Sequence, residues 1–212
     1  MKNIVEVAEY LSIVLQLELP GEKVQLKMAS MTRLQQLTKH LKKDNAIKSS
    51  VLILLYPSSE KNEVLFVLIQ RPAYNGVHGG QISLPGGKFE SSDGDLQNTA
   101  IRESFEEIGI PKQDVKIIGA LSELYIPPSN YIVSPFVGFL DYKPEFRPDT
   151  YEVQEIIEVR LEDLLDDTKI VKKRIHIRTG LQITTPCFEI DKRIIWGATA
   201  MILSEFRTLF KH

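Results

Sequence analysis

Residues 102–110 read Arg-Glu-Ser-Phe-Glu-Glu-Ile-Gly-Ile, which sets Glu103, Glu106 and Glu107 at i, i+3 and i+4. At roughly 100° per residue, the three carboxylates fall on one side of a helix. Ile101, Phe105 and Ile108 fall on nearly the opposite side. The spacing predicts a helix held to a core by those three apolar residues, with its glutamates aimed away together. Like charges at these spacings cost a helix about 0.2–0.5 kcal/mol per pair. A bound hard cation offsets that repulsion, because Mg²⁺ prefers carboxylate and water oxygens. An acidic helix face alone is more often just solvated. Upstream, however, Pro85-Gly86-Gly87 can hold unusual backbone angles and bring a carbonyl or amide close to a metal or phosphate. Gly-Gly followed by a carboxylate-bearing helix is the combination that points to chemistry.

The elements around that helix follow from periodicity and turn residues. The helix should run over residues 95–108 and stop at Gly109, with Pro111 just beyond. A short strand at residues 81–84 leads into Pro85. Strands at 48–56 and 63–70, joined by the polar stretch 57–62, predict a hairpin. Further strands are expected at 115–121, 131–140, 155–161, 169–177 and 181–190. A last helix over 197–209 has Met201, Ile202, Phe206, Leu209 and Phe210 on its apolar side. Two more helices are expected ahead of these, at 3–17 and 32–42. The first sets Ile4, Val7, Ala8, Leu11, Val14 and Leu15 at helical spacing. Many strands with few helices between them imply an α/β chain with a mixed sheet covered by helices. The expected division is a helical extension over 1–44 and the main domain over 45–212.

Composition narrows the function classes. The chain has 212 residues, 43% of them apolar and 25% charged, enough for a single core. Lys and Arg number 26 against 28 Asp and Glu, without the basic excess of a nucleic-acid binder. The apolar runs are too short to span a bilayer, and the start shows no secretory pattern. Cys187 stands alone in an alternating run and reads as a small core residue, without a disulfide or zinc site. The expectation is a cytoplasmic protein acting on a small molecule, with no nucleic-acid or membrane partner. Leu11 and Leu15 can either build a homodimer or pack on their own domain.

Gly87, Arg102, Glu103, Glu106, Glu107, Gly109 and Ile110 together resemble the box of the Nudix hydrolase family, G-x5-E-x7-R-E-U-x-E-E-x-G-U with U a bulky aliphatic. Asp93 stands in the place of the first Glu, with one extra residue before Arg102, and Ser104 replaces the first aliphatic. The resemblance implies a Nudix-type α/β/α sandwich and a hydrolase using Mg²⁺ or Mn²⁺ on a nucleotide diphosphate. It implies metal ligands at Glu103, Glu106 and Glu107, with the Gly87 carbonyl and the late-loop Glu152 as further candidates. Glu103 or Glu106 can instead be the general base. Arg102 would hold the loop through a carboxylate such as Asp93.

Residues 67–71 and 80–87, with Arg71, Gly80, Pro85, Gly86 and Gly87 in register, are similar to the upstream signature of the coenzyme A pyrophosphatase branch. Pro72 and Gly76 depart from it, and Gly76 removes an expected arginine. Residues 127–128, 131–138, 151–153 and 195–200 resemble later parts of the same branch. By this resemblance Arg71, Gly86 and Lys88 are candidate substrate contacts, although Arg71 and Lys88 can equally be solvated surface charges. His78 can shape the pocket or move a proton, the alternative being a plain hydrogen-bonding loop residue. The implied reaction splits coenzyme A into adenosine 3′,5′-bisphosphate and 4′-phosphopantetheine. The alternatives are an ADP-ribose or dinucleotide pyrophosphatase, or a non-catalytic nucleotide-binding module. The three intact glutamates argue against the last.

Overall fold

The computed structural model describes residues 3–37, 45–59, 63–72, 79–176, 180 and 182–211. Helix α1 (Ile4–Val14) starts where the Asn3 side chain accepts the Glu6 N–H, satisfying a donor that has no partner within the helix. Its buried residues are Ile4, Val7, Ala8 and Leu11. Two short helices follow, α2 (Glu22–Gln25) and α3 (Met31–Leu37). The expected continuation of the second helix to residue 42 lies outside the described residues.

Strands β1 (Ile47–Pro57) and β2 (Val64–Gln70) pair antiparallel, with Leu55 opposite Phe66, so the hairpin forms as the sequence predicts. The short strands β3 (Ile82–Ser83) and β4 (Gly86–Lys88) flank Pro85 and lead to α4 (Leu96–Ile108). Next come β5 (Lys116–Ala120), β6 (Leu124–Ile126), β7 (Tyr131–Phe139), β8 (Glu155–Arg160) and α5 (Leu161–Leu165). The chain ends with β9 (Ile170–His176), β10 (Gln182–Ile190), β11 (Arg193–Ile195) and α6 (Gly197–Thr208).

Eight strands form one mixed sheet. Its path is β3-β2-β1-β7-β5, with β4 added to β1, β6 to β7 and β8 to β2. The β1–β7 pairing is parallel and sets Ser50 beside Ser134. Strands β9, β10 and β11 make a second, antiparallel sheet.

Successive side chains on a strand leave opposite faces, and β1 carries a separate core on each. Leu52, Leu54 and Tyr56 pack with Ala100 and Ile108 of α4. Ile53 and Leu55 pack with Val7 and Leu11 of α1 and Phe206 of α6. The sheet therefore lies between helical layers in an α/β/α sandwich. Tyr10 ties the outer layer together by donating its hydroxyl to the Leu209 carbonyl at 2.6 Å. Cys187 is fully buried. Among the described residues, no helix is long and apolar enough to cross a membrane.

The face of α4 differs from the expectation. Ile108 is fully buried, but Phe105 is 47% exposed and Ile101 only partly covered. The buried residues of the helix are Thr99, Ala100, Ser104, Glu107 and Ile108. Small residues at 100 and 104 let the helix approach closely, and the Ser104 hydroxyl donates back to the Ala100 carbonyl at 2.8 Å. That bond removes the cost of burying an unpaired hydroxyl. Phe105 is left at the surface with the Lys112 ammonium 5.3 Å from its ring centre.

Candidate active site

The phase of α4 is set at both ends. Asp95 accepts the Asn98 N–H at the start, and Gly109 takes a left-handed conformation (φ 75°) at the end. With Ser104 toward the sheet, Glu107 is rotated from it by roughly 60°, Glu103 by roughly 100° and Glu106 by roughly 160°, all in the same sense. Burial follows that order: the side chains are 1%, 13% and 48% exposed.

Glu107 lies deepest. Its Oε2 accepts the Gly86 N–H at 2.8 Å, and its Oε1 accepts from Arg71 Nη2 at 3.1 Å. Arg71 also donates to the Gly86 carbonyl at 3.1 Å and to Ser83 Oγ at 3.2 Å. Desolvation pushes the Glu107 carboxyl up to about 7, against the pull of Arg71 and the Gly86 N–H and with the push of Glu103 and Glu152.

The Glu103 carboxylate lies against Gly87. A Cβ on that residue would come within 2.4 Å of Glu103 Oε1, so only glycine leaves room for it. Burial raises the Glu103 pKa, Arg102 opposes the rise, and Glu106 and Glu152 add to it. Gly86 is equally constrained: at φ 151° its Cβ would lie 2.2 Å from the Ser50 carbonyl.

Arg102 organises the outer rim, and its pairing with Asp93 matches the sequence reading. Arg102 Nε reaches Asp93 Oδ1 at 2.7 Å, while Nη2 reaches Oδ2 at 3.1 Å and the Lys88 carbonyl at 2.9 Å. Its Nη1 lies 2.9 Å from Glu103 and 2.7 Å from Glu106. Asp93 also accepts from the Thr99 hydroxyl and the Glu90 N–H. These donors, Arg102 first, hold its carboxyl far below the usual carboxylate range. The extra residue of the box is absorbed by the turn Ser91–Asp93 and by Gly94 at φ 78°.

The structure brings Arg71, Gly86, Gly87, Arg102, Glu103, Glu106 and Glu107 together. Glu152 is exposed on the segment after β7, close enough for its charge to raise both Glu103 and Glu107. Lys88 is exposed, and by strand alternation its side chain leaves β4 on the face opposite Gly87. His78 lies outside the described residues. The Gly86 N–H, a candidate for a metal or phosphate contact from the sequence, instead donates to Glu107, and Ser83 has no local signal because pairing between β2 and β3 puts it at the site.

Among the described residues, no three carboxylate, imidazole or thiol groups already converge on one point. Arg71 and Arg102 hold the glutamates instead. The donor set still suits a hard divalent cation: it is all oxygen, and two of its carboxylates carry unrelieved desolvation and mutual repulsion. Gly87 leaves room for Glu103 at the strand, so the residues present fit such an ion.

Comparison with known proteins agrees with this geometry. Residues 46–178, more than half of the chain, match the NUDIX domain. An "Uncharacterized Nudix hydrolase NudL" from Yersinia pestis (strain Pestoides F) is 32% identical over 150 residues, covering 71% of this chain and 74% of that protein. A Nudix hydrolase from M. smegmatis, RenU, has a similar fold, with a TM-score of 0.54 and 15% identity over 78% of this chain and 86% of that one. A MutT/nudix family protein from Enterococcus faecalis is similar in fold too, with a TM-score of 0.53 and 14% identity over 100% of this chain and 76% of that one. With its glutamate helix docked on Gly86 and Gly87, the chain belongs to the Nudix hydrolase family and is a pyrophosphohydrolase.

Proposed function

We propose that this enzyme cleaves the diphosphate linkage of coenzyme A or a closely related nucleotide derivative, using Mg²⁺ or Mn²⁺, in the cytoplasm. The observation that carries the reading is the pair Glu103 and Glu107, one turn apart and seated on Gly86-Gly87. The run of Arg71 and Gly80 through Gly87, similar to the coenzyme A branch, supports the choice of substrate.

A diphosphate resists hydrolysis because its anionic oxygens repel a nucleophile. Bound divalent cations neutralise that charge and lower the pKa of water. Glu103, Glu106 and Glu107 would hold them, with Glu152 and the Gly87 carbonyl as further donors. Arg71 keeps Glu107 turned toward Gly86, and Arg102 fixes the Asp93 loop beside the helix. Glu103 or Glu106 would accept the proton of the attacking water. Arg71, after release from Glu107, would meet phosphate oxygens.

The test is turnover of coenzyme A, ADP-ribose and NADH by the purified protein with Mg²⁺ or Mn²⁺, with products separated by chromatography. Fastest cleavage of coenzyme A, yielding adenosine 3′,5′-bisphosphate and 4′-phosphopantetheine, is expected. Preference for ADP-ribose or NADH overturns the substrate assignment. Tight binding without turnover overturns the hydrolase reading.

A further inference from the structure

Glu123 lies outside the box, on the connection between β5 and β6, and the sheet places it on the same face as the glutamate helix. Ser50 precedes Leu52 by two residues on β1, and Ser134 precedes Phe136 by two on β7. Leu52 and Phe136 both pack in the α4 core, so Ser50 and Ser134 share that face. Leu124 and Val133 pair across β6 and β7 and enter the opposite core. Ser122 likewise lies on that opposite side, its hydroxyl beside Gly21 and its backbone N–H 3.4 Å from Glu205 of α6. Glu123, between them, is directed to the α4 face, where the Ser134 hydroxyl donates to its Oε1 at 2.9 Å. Ser134 is buried, and its own carbonyl accepts from the fully buried Ser50 hydroxyl at 2.9 Å. The Glu123 carboxylate is thus exposed to ligands but held from beneath by the sheet.

The distance from the metal-binding glutamates decides what it can do. Glu103 lies on Gly87, Gly87 is paired with Ser50, and Ser50 is paired with Ser134. Two strand spacings separate Gly87 from Ser134, roughly 10 Å. With Glu103 held on Gly87 and Glu123 held on Ser134, the two carboxylates sit over positions farther apart than the metal–oxygen contacts of one ion, about 2.0–2.6 Å each, extend. A nucleoside attached to a diphosphate at Glu103 and Glu107 can bridge that gap. Between the two carboxylates the floor is Gly87, Ser50 and Ser134, without a large side chain, whereas the next residues on this face are Leu52 and Phe136.

We propose that Glu123 is a substrate-binding residue, accepting hydrogen bonds from N–H or O–H donors on the nucleoside part of the substrate. The proposal rests on the site being a nucleotide diphosphate hydrolase, and a binding measurement separates the two. Affinities of ADP and of inorganic pyrophosphate, each with Mg²⁺, are measured by calorimetry on the full chain and on Glu123→Ala, Glu123→Gln and Ser134→Ala. Glu123→Ala should weaken ADP about tenfold, the scale of one hydrogen bond to a charged group, and leave pyrophosphate unchanged. Glu123→Gln keeps one acceptor oxygen and should recover part of the loss, while Ser134→Ala should show a smaller loss of the same kind. With the best turnover substrate, Glu123→Ala should raise KM and hold kcat within twofold. Unchanged ADP affinity, equal losses for ADP and pyrophosphate, or no ADP binding by the unaltered protein overturns the proposal. ADP binding that depends on Glu123, without any diphosphate cleavage, leaves it standing and defeats the hydrolase reading.

Discussion

Arg71 and Glu107 form a lopsided ion pair. Their closest atoms are 3.1 Å apart, yet the Glu107 side chain is 1% exposed and that of Arg71 23%. The arginine keeps contact with water while the carboxylate has lost nearly all of it. The pair therefore stabilises the charge on Glu107 without offsetting its full desolvation.

That imbalance predicts a pH dependence for the metal-free protein. Below about 4.5, the ordinary value for Glu, folded and unfolded chains both carry the proton on Glu107. Above it the unfolded chain loses the proton, while the folded chain keeps it until about 7. The unfolded state then binds fewer protons, so this group's contribution falls as pH rises through that window, by about 3 kcal/mol in all. Denaturant melts in EDTA from pH 4.5 to 8 should show the decline, and Glu107→Gln should flatten it. Arg71→Gln should extend it to higher pH, because Arg71 is the largest influence holding the Glu107 pKa down. A Glu107→Gln profile parallel to that of the unaltered protein would refute the assignment.

Turnover should depend on the inner glutamates more than on the outer one. Glu103→Gln and Glu107→Gln are each expected to lower kcat at saturating metal by about two orders of magnitude or more, with the far-ultraviolet circular dichroism unchanged. Glu106, turned outward and half exposed, should cost less when changed to Gln. Steady-state kinetics at several Mg²⁺ and Mn²⁺ concentrations check this. Near-normal kcat for either inner variant would move the metal site elsewhere.

The two glycines should fail in different ways. Gly86→Ala drives a methyl into the Ser50 carbonyl and the Val51 backbone, both rigid parts of β1. It should lower the melting temperature by several degrees, a cost of about 1–3 kcal/mol. In Gly87→Ala the three atoms nearest the new methyl all belong to the Glu103 carboxylate, the end of a side chain. It should leave stability nearly unchanged and reduce metal affinity and kcat. Melting curves and Mn²⁺ titration of both variants distinguish a strand contact from a ligand contact.

What the sequence showed of this site depended on how local each relationship was. The three glutamates, the Gly-Gly and the Arg102–Asp93 pair lie within 22 residues; spacing associates the glutamates with the Gly-Gly, and the resemblance to the Nudix box implies the Arg102–Asp93 pair. The phase of α4 was misread because apolar periodicity favoured Phe105. The sheet instead required the small Ala100 and Ser104 at the closest approach, leaving Phe105 outside. The hairpin and terminal helix were legible from long apolar runs. The two- and three-residue strands β3, β4, β6 and β11 are too short for a strong period, and only that beginning at Ile82 was anticipated. The Ser83 contact with Arg71 and the Ser134 contact with Glu123 arise from strand pairing, which no local pattern encodes.

The Tyr10–Leu209 hydrogen bond closes a span of 199 residues, whereas Arg71–Glu107 closes 36 and Gly86–Glu107 closes 21. Loop-closure entropy grows by about 0.6 kcal/mol per doubling of length, so the outer tie costs roughly 1.5 kcal/mol more to form than the Arg71 contact. Contacts that are short in sequence also form sooner. During folding, the glutamate helix can therefore dock on its glycines while the first and last helices are still apart. The chemistry therefore sits where the closures are short, and the first and last helices are tied on the other side of the sheet.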